Sequence, residues 1–416
     1  MEIPRPFYLQ ELIRKRGNGF VKVITGLRRC GKSYLLRTLF KNHLLAQGLR
    51  PEQVLEMAFD DRDSRAYRDP DVFYALAKEQ LAREPDTIFL LDEIQLLGDF
   101  ESVLNGLLGR KAEIYVTGSN ARFLSKDIIT EFRGRGDEIH MTPLTFAEYY
   151  SMFRDDRMSR FSDYMTYGGL PLVVLASSVE DKVDMLHALY TETYLRDIVG
   201  RNRIRKVPEL EELLDILSSS IGSLVNPVKL QRTFQSVKHS SIHSDTIACY
   251  LSCLEDAYLL ESAQRYDIKG KAYIETPRKY YYSDLGLCHS RLHFRQLEET
   301  HSMENVIFNE LRHRKFQVDI GQVTVHERNE GGTYSRRQLE VDFVANKGSR
   351  RYYIQSAYLM PDAAKREQEL RPLLKIDDSF KKIVISLHAP SPWYDDHGIL
   401  TMNIYDFLLN PNCLDW

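Results

Sequence analysis

The chain has 416 residues, 43% of them hydrophobic and 28% charged, with a formal net charge of −3. A chain this long divides into two to four domains of about 100–200 residues each. The charge balance excludes a chain-wide pull on nucleic acid, so any DNA binding must come from a local basic face. No apolar run approaches the roughly 18–20 residues of a membrane helix. Met1-Glu2-Ile3-Pro4-Arg5 lacks the apolar core of a signal peptide, so a cytoplasmic chain with no membrane partner is expected. Five scattered cysteines, Cys30, Cys249, Cys253, Cys288 and Cys413, argue against a disulfide framework. Cys249 and Cys253 lie four apart on a predicted helix near His243. Core packing is expected of them rather than zinc ligation, because no second ligand pair has zinc spacing.

Gly19–Thr25 predicts a short buried strand and Tyr34–Phe40 a helix. Between them, Gly26-Leu27-Arg28-Arg29-Cys30-Gly31-Lys32-Ser33 fits G-x-x-x-x-G-K-S in the strand–loop–helix setting of a phosphate-binding loop. The glycines let backbone N–H groups turn inward around phosphates, and the helix N-terminus adds its dipole. Gly26, Leu27, Arg28, Arg29, Cys30, Gly31, Lys32, Ser33 and Tyr34 form the expected nucleotide-binding set, with Lys32 on the β- and γ-phosphates and Ser33 on Mg2+.

A second strand, Val54–Phe59, ends in Asp60-Asp61. A third, Thr87–Leu91, runs straight into Asp92-Glu93, with Asp92 60 residues after Lys32. In this Walker B pattern Asp92 is expected to bind Mg2+ through water, and Glu93 to polarise the attacking water. The fourth strand, in Ala112–Asn120, ends in small polar residues. Ser119, ahead of Asn120, is the candidate for orienting that water. Glu131-Phe132-Arg133-Gly134-Arg135-Gly136 leads into a fifth strand, Asp137–Met141. Arg133 and Arg135 are candidates for stabilising charge on the γ-phosphate, from the same or a neighbouring subunit, with a plain surface role left open. Strands alternating with helices, with these residues at strand C-terminal ends, predict a parallel sheet with helices on both faces over residues 1–160.

Tyr167-Gly168-Gly169-Leu170-Pro171 makes a sharp hinge, either a lid near the nucleotide or an interdomain turn, within a helical linker over 161–204. Over 205–295, helices are expected at Glu209–Leu217, after Asn226-Pro227, and at Ser244–Leu260. Ile247, Leu251, Leu254 and Tyr258 repeat at helical spacing and mark the core face of the last. Two β-like stretches, Leu260–Tyr266 and Lys279–Ser283, complete a winged helix-turn-helix pattern. Lys238, His239, His243, Lys269, Lys271, Arg278 and Lys279 are candidate phosphate contacts for DNA. Asp245, Glu255 and Asp256 on the candidate recognition helix favour a protein-packing wing instead.

The motif order G-L-R-R-C-G-K-S, F-L-L-D-E-I-Q, T-G-S-N, F-R-G-R and Pro143-Leu144-Thr145-Phe146-Ala147-Glu148-Tyr149, with the Gly-Gly-x-Pro turn, resembles one family. It is that of archaeal and bacterial AAA-type ATPases carrying a C-terminal domain of unknown function, related to the STAND and archaeal ATPase groups. The resemblance implies an ATPase using ATP/ADP and Mg2+, and leaves DNA, a protein partner or further copies of the chain open as partners. Residues 296–416 resemble the PD-(D/E)xK nuclease fold, an α/β restriction-endonuclease-like domain. There a helix Glu, a strand Asp and a Glu-x-Lys place Mg2+ and activate water. Glu304 and Asp342 match the first two, but Gln355 stands for the second acid and Ala357 for the lysine. The resemblance therefore implies a nuclease-like fold without a complete centre, for which Lys365 on the next segment is a candidate replacement for the lysine. Three functions follow: an ATP-driven switch for the C-terminal modules, an ATPase loading a nuclease, or a DNA-binding regulator with slow turnover.

Overall fold

The computed structural model describes residues 3–118, 136–153, 155–237, 242–328 and 334–416. Ser119, Asn120, Arg133, Arg135, Lys238 and His239 lie outside the described residues. The chain forms two compact units. The first comprises residues up to Leu144 together with Leu170–Leu172 and Glu255–Leu259. The second holds Thr145–Gly169, Val173–Leu254 and Leu260–Trp416.

The first unit is built on five strands, β1 (Val21–Gly26), β2 (Val54–Ala58), β3 (Ile88–Asp92), β4 (Glu113–Thr117) and β5 (Gly136–Met141). They lie in the order β2-β3-β4-β1-β5, every neighbouring pair parallel. β1 and β3 are buried at every position, as expected of parallel strands covered on both faces. Phe59, Phe73, Phe89, Leu91, Leu104 and Leu107 fill one side of this sheet. Helix Pro70–Arg83 starts where Asp69 accepts hydrogen bonds from the Asp71 and Val72 N–H groups and Pro70 occupies the first turn. The parallel sheet expected from the sequence is present. β4 inserts between β1 and β3, so the ends of the loop strand and the acidic strand are one strand apart.

In the second unit, Phe146 of helix Phe146–Phe153 packs against Phe161, Tyr164 and Tyr405. Three helices, Val207–Ser219, Pro227–Val237 and Ser244–Asp256, precede a β-ribbon. Asn226 Oδ1 accepts from Val228 N at 2.9 Å and opens the second of them. The third ends at Asp256, short of the expected span. Tyr258 is buried as expected but lies beyond the helix, in a left-handed turn at φ 56°.

The ribbon consists of β6 (Leu224–Val225), β7 (Leu260–Asp267) and β8 (Ala272–Tyr282). It continues into β9 (Gln317–Arg328), β10 (Tyr334–Lys347), β11 (Arg350–Ala357), β12 (Lys381–Ser386), β13 (Trp393–Tyr394) and β14 (Leu400–Asn403). All nine form one sheet, ordered β13-β14-β12-β11-β10-β9-β7-β8-β6. The segments 205–295 and 296–416 are joined through parallel pairing of β7 with β9, Arg265 to Ile320 through Asp267 to Gln322.

Candidate nucleotide site

The glycine loop leaves β1 at Gly26, whose φ of +131° suits glycine alone; a Cβ there would lie 2.0 Å from the Met141 carbonyl oxygen. Arg29 takes a left-handed turn at φ 66°, and Gly31 at φ +103° caps the helix that opens with Lys32–Tyr34. That helix continues as a π-helical run, Leu35–Phe40, and then as Lys41–Ala46. Cys30 is buried, its Sγ 3.4 Å from the Met141 carbonyl, so it packs the loop onto β5. Lys32 is also buried, and its ammonium donates to the Gly26 and Leu27 carbonyls at 3.0 Å each. Both partners are neutral, which suits the lysine to phosphate oxygens at the loop.

Across the sheet edge, Asp92 Oδ1 accepts from Ser33 Oγ at 3.0 Å and from the Thr117 hydroxyl. Arg37 Nη1 stands 3.9 Å from Asp92 Oδ2 while its Nε donates to Glu56 at 2.6 Å. Burial pushes the Asp92 carboxyl above its ordinary pKa, and Glu93 adds to this against the hydroxyls and Arg37. Glu56 goes the other way: despite its burial, Lys41 and Arg37 hold it below the usual carboxylate range. Glu93 begins a short turn at φ 53°, its N–H donating to Thr117 Oγ1 at 3.1 Å and its carboxylate accepting from the Gln95 amide. The buried Asp92 carboxylate and the Ser33 hydroxyl, bonded to each other rather than to an ammonium, are the oxygen donors Mg2+ takes, so these residues fit the ion.

The expected set from Gly26 to Tyr34 is thus brought together with Asp92 and Glu93. Thr117 was missed by sequence reasoning, which pointed two residues further along the T-G-S-N run, to Ser119. The signal lay in its position as the last residue of β4, next to Asp92. Arg5 was missed as well. It is 2% exposed, donates to the Cys30 carbonyl at 3.0 Å and to Thr142 O at 2.8 Å, and so ties the loop to the end of β5. A Cβ on Gly31 would sit 3.8 Å from Pro171 Cγ, which puts the proline of the Gly-Gly-Leu-Pro turn beside the loop.

Within the second unit, Asp284 holds that turn: its Oδ2 accepts from Gly169 N at 2.7 Å and its Oδ1 from Leu287 N at 3.3 Å. Gly168, at φ +75°, would bring a Cβ within 2.1 Å of Asp284 Oδ1. Glu304, on helix Glu299–His313, lies in the same unit as Asp342 of β10 and Gln355 of β11. Glu304 Oε1 accepts from Lys279 Nζ at 2.9 Å and from the Tyr281 hydroxyl at 2.7 Å, and Asp342 Oδ2 accepts from Ser356 N at 2.7 Å.

Two expectations are corrected here. Lys279, a candidate phosphate contact, is 4% exposed, because the alternation of β8 turns it and Tyr281 inward; Lys269, Lys271 and His243 are exposed. Cys253 is a core residue, but Cys249, one helical turn earlier, is exposed. All five cysteines are free. Lys365 pairs with Glu369 at 2.6 Å, and Glu369 also accepts from Gln355 Nε2 at 3.2 Å. No helix among the described residues is long and apolar enough to cross a membrane.

Residues 18–150 match the AAA domain family, and residues 158–298 match a domain of unknown function, DUF8612. A protein of Methanocaldococcus jannaschii described as uncharacterized is 26% identical over 404 residues, covering 93% of this chain and 85% of its own. Among solved structures, Cdc6p from Pyrobaculum aerophilum aligns over 63% of this chain and 89% of its own, at 14% identity and a TM-score of 0.29. A Haemophilus influenzae protein, also described as uncharacterized, is 33% identical over 417 residues, 98% of both chains. The chain belongs to the family of this Haemophilus influenzae protein and carries an AAA-type P-loop domain of the ATPase class at its N-terminal end.

Proposed function

We propose that the chain hydrolyses ATP with Mg2+ and that the nucleotide state acts as a switch for its C-terminal modules. The observation that carries this is the hydrogen-bonded series Ser33–Asp92–Thr117–Glu93 at the C-terminal edge of the parallel sheet. When bound, Mg2+ supplies charge neutralisation to the phosphate oxygens. The loop N–H groups and Lys32 hold and orient the β- and γ-phosphates, while Ser33 and Asp92 hold the ion. Glu93 accepts a proton from the attacking water and fixes its direction. Thr117 keeps Asp92 and the Glu93 backbone in register. Ser119 is a further candidate for orienting that water, and Arg133 or Arg135 for steadying the γ-phosphate charge, in the same chain or across a homo-oligomer. The Gly-Gly-Leu-Pro turn is a candidate sensor, with Pro171 beside the loop. Lys32→Ala tests the reading: ATP binding and phosphate release both fall, and unchanged values for both would end it.

A second reading concerns the modules that the nucleotide serves. Helices Val207–Ser219, Pro227–Val237 and Ser244–Asp256 with β6, β7 and β8 support a winged helix, and the exposed His243, Lys269 and Lys271 give it phosphate donors. Glu304, Asp342 and Gln355 support a nuclease-like sheet. Binding to random duplex DNA that weakens with salt and changes between ATP and ADP supports a DNA-directed switch. Absence of any binding at low salt leaves a protein partner as the target.

A further inference from the structure

The carboxylate cluster of the second unit has an unusual centre. Lys279 comes from β8 of the ribbon, not from the strand where the nuclease pattern carries its lysine; that position is Ala357. Its side chain is 5% exposed, and its Nζ lies 2.9 Å from Glu304 Oε1 and 2.7 Å from Glu340 Oε1. Tyr281, two residues along the same strand face, adds its hydroxyl to Glu304 at 2.7 Å. Glu340 and Asp342 are likewise two apart on β10. Gln355 is the cross-strand neighbour of Asp342, since Phe343 pairs with Ile354. Of the residues that would gather a divalent cation, Glu304 is therefore held by an ammonium, which it shares with Glu340, two residues before Asp342. Three N–H donors satisfy Glu304 and Glu340 without the octahedral oxygen shell Mg2+ demands. A second cation at this spot would face the lysine's charge across a low-dielectric interior.

We propose that Lys279 is a built-in cation that takes the place of a divalent metal in the Glu304–Glu340–Asp342 cluster, making a nuclease-like centre into a fixed cross-brace. The residues present do not fit Mg2+ there, and no cleavage step runs through them. The brace links three elements, β8, β10 and helix Glu299–His313, and so fastens the ribbon of the three-helix module to the rest of the nine-stranded sheet. This inference rests on the nuclease-like reading of the sheet and is independent of ATP hydrolysis.

The test uses the full chain, without nucleotide, in an Asp92→Asn background so that the first unit contributes no metal site. Mn2+ binding is followed by loss of the free-ion electron-spin signal, and thermal melting is followed with Mn2+ or chelator. The Lys279 chain takes up no Mn2+ and melts at the same temperature in both. Lys279→Met melts lower in chelator, binds Mn2+ saturably and regains melting temperature with it. If Lys279→Met does not fold, Lys279→Met/Glu304→Gln is made, which removes the charge left over. Folding of this double variant supports the brace, and its failure to fold overturns it. Saturable Mn2+ uptake by the Lys279 chain overturns the proposal. So does a Lys279→Met variant that melts unchanged, or that melts lower yet takes up no Mn2+. Mn2+-dependent DNA cleavage by the Lys279 chain would overturn both this inference and the view that the centre is incomplete, whereas unchanged melting of Lys279→Met strikes this inference alone.

Discussion

The two carboxylate clusters of this chain use the same ingredients in opposite ways. At the nucleotide site the buried Asp92 is bonded to hydroxyls, Ser33 and Thr117, while Lys32 rests on neutral carbonyls a few residues away. In the second unit the buried Glu304 and its neighbour Glu340 are bonded directly to Lys279. An acid hydrogen-bonded to hydroxyls, with its nearest cation, Arg37, 3.9 Å away and paired to Glu56, stays open to an incoming metal ion, and a lysine whose partners are neutral keeps its charge for an incoming anion. An acid and a lysine that are bonded to each other offer little to a ligand, and removing either leaves the other charge buried and uncompensated. On the proposed readings, partnering rather than the presence of Asp, Glu and Lys separates the reactive site from the structural one.

The lysines give the strongest contrast. Lys32→Ala is expected to lower the rate of phosphate release by about 100- to 1000-fold while costing only about 1 kcal/mol of stability. Lys279→Met is expected to do the reverse, losing about 3–5 kcal/mol by urea unfolding with phosphate release per folded chain unchanged. A Lys279→Met variant as stable as the natural chain would break the comparison. Thr117→Val sharpens it at smaller scale. Removing the hydroxyl leaves Asp92 with Ser33 and the Glu93 N–H without its acceptor, and a loss of about 1–3 kcal/mol is expected, read as a fall of about 5- to 150-fold in kcat. Gly168→Ala touches neither lysine. It meets the Asp284 carboxylate at a positive φ, and its expected cost is about 1–3 kcal/mol, seen as a lowered Tm.

The first cluster was legible in the sequence because its parts are local. The loop is eight consecutive residues, and Asp92-Glu93 follows an apolar strand directly. Thr117 was harder to find, because which polar residue at the end of β4 meets Asp92 depends on the pairing of β4 with β3, Leu91 opposite Val116. Asp284 grips Gly168-Gly169 from more than a hundred residues away, beyond the reach of any local pattern. From the sequence Lys279 is one of seven basic residues available for phosphate contacts. The alternation of β8 was the available signal: Lys279 shares a face with the fully buried Tyr281, while Arg278 shares one with Tyr280. Its partners Glu304 and Glu340 sit on a helix and a strand far along the chain, so the ion pairs themselves could be known only from the fold. The shared sheet was also invisible, since the pairing of β7 with β9 spans just three residues on each strand.

On the proposed function, Glu93 works on water beside a nucleotide held by Lys32, Ser33 and Asp92. The measurement that tests this is phosphate release from ATP, with Mg2+ and with chelator, by the natural chain and by Glu93→Gln, alongside ATP binding by both. Mg2+-dependent release is expected from the natural chain, and in Glu93→Gln a fall of about 100-fold or more with ATP binding retained. Equal release by the two chains would contradict it.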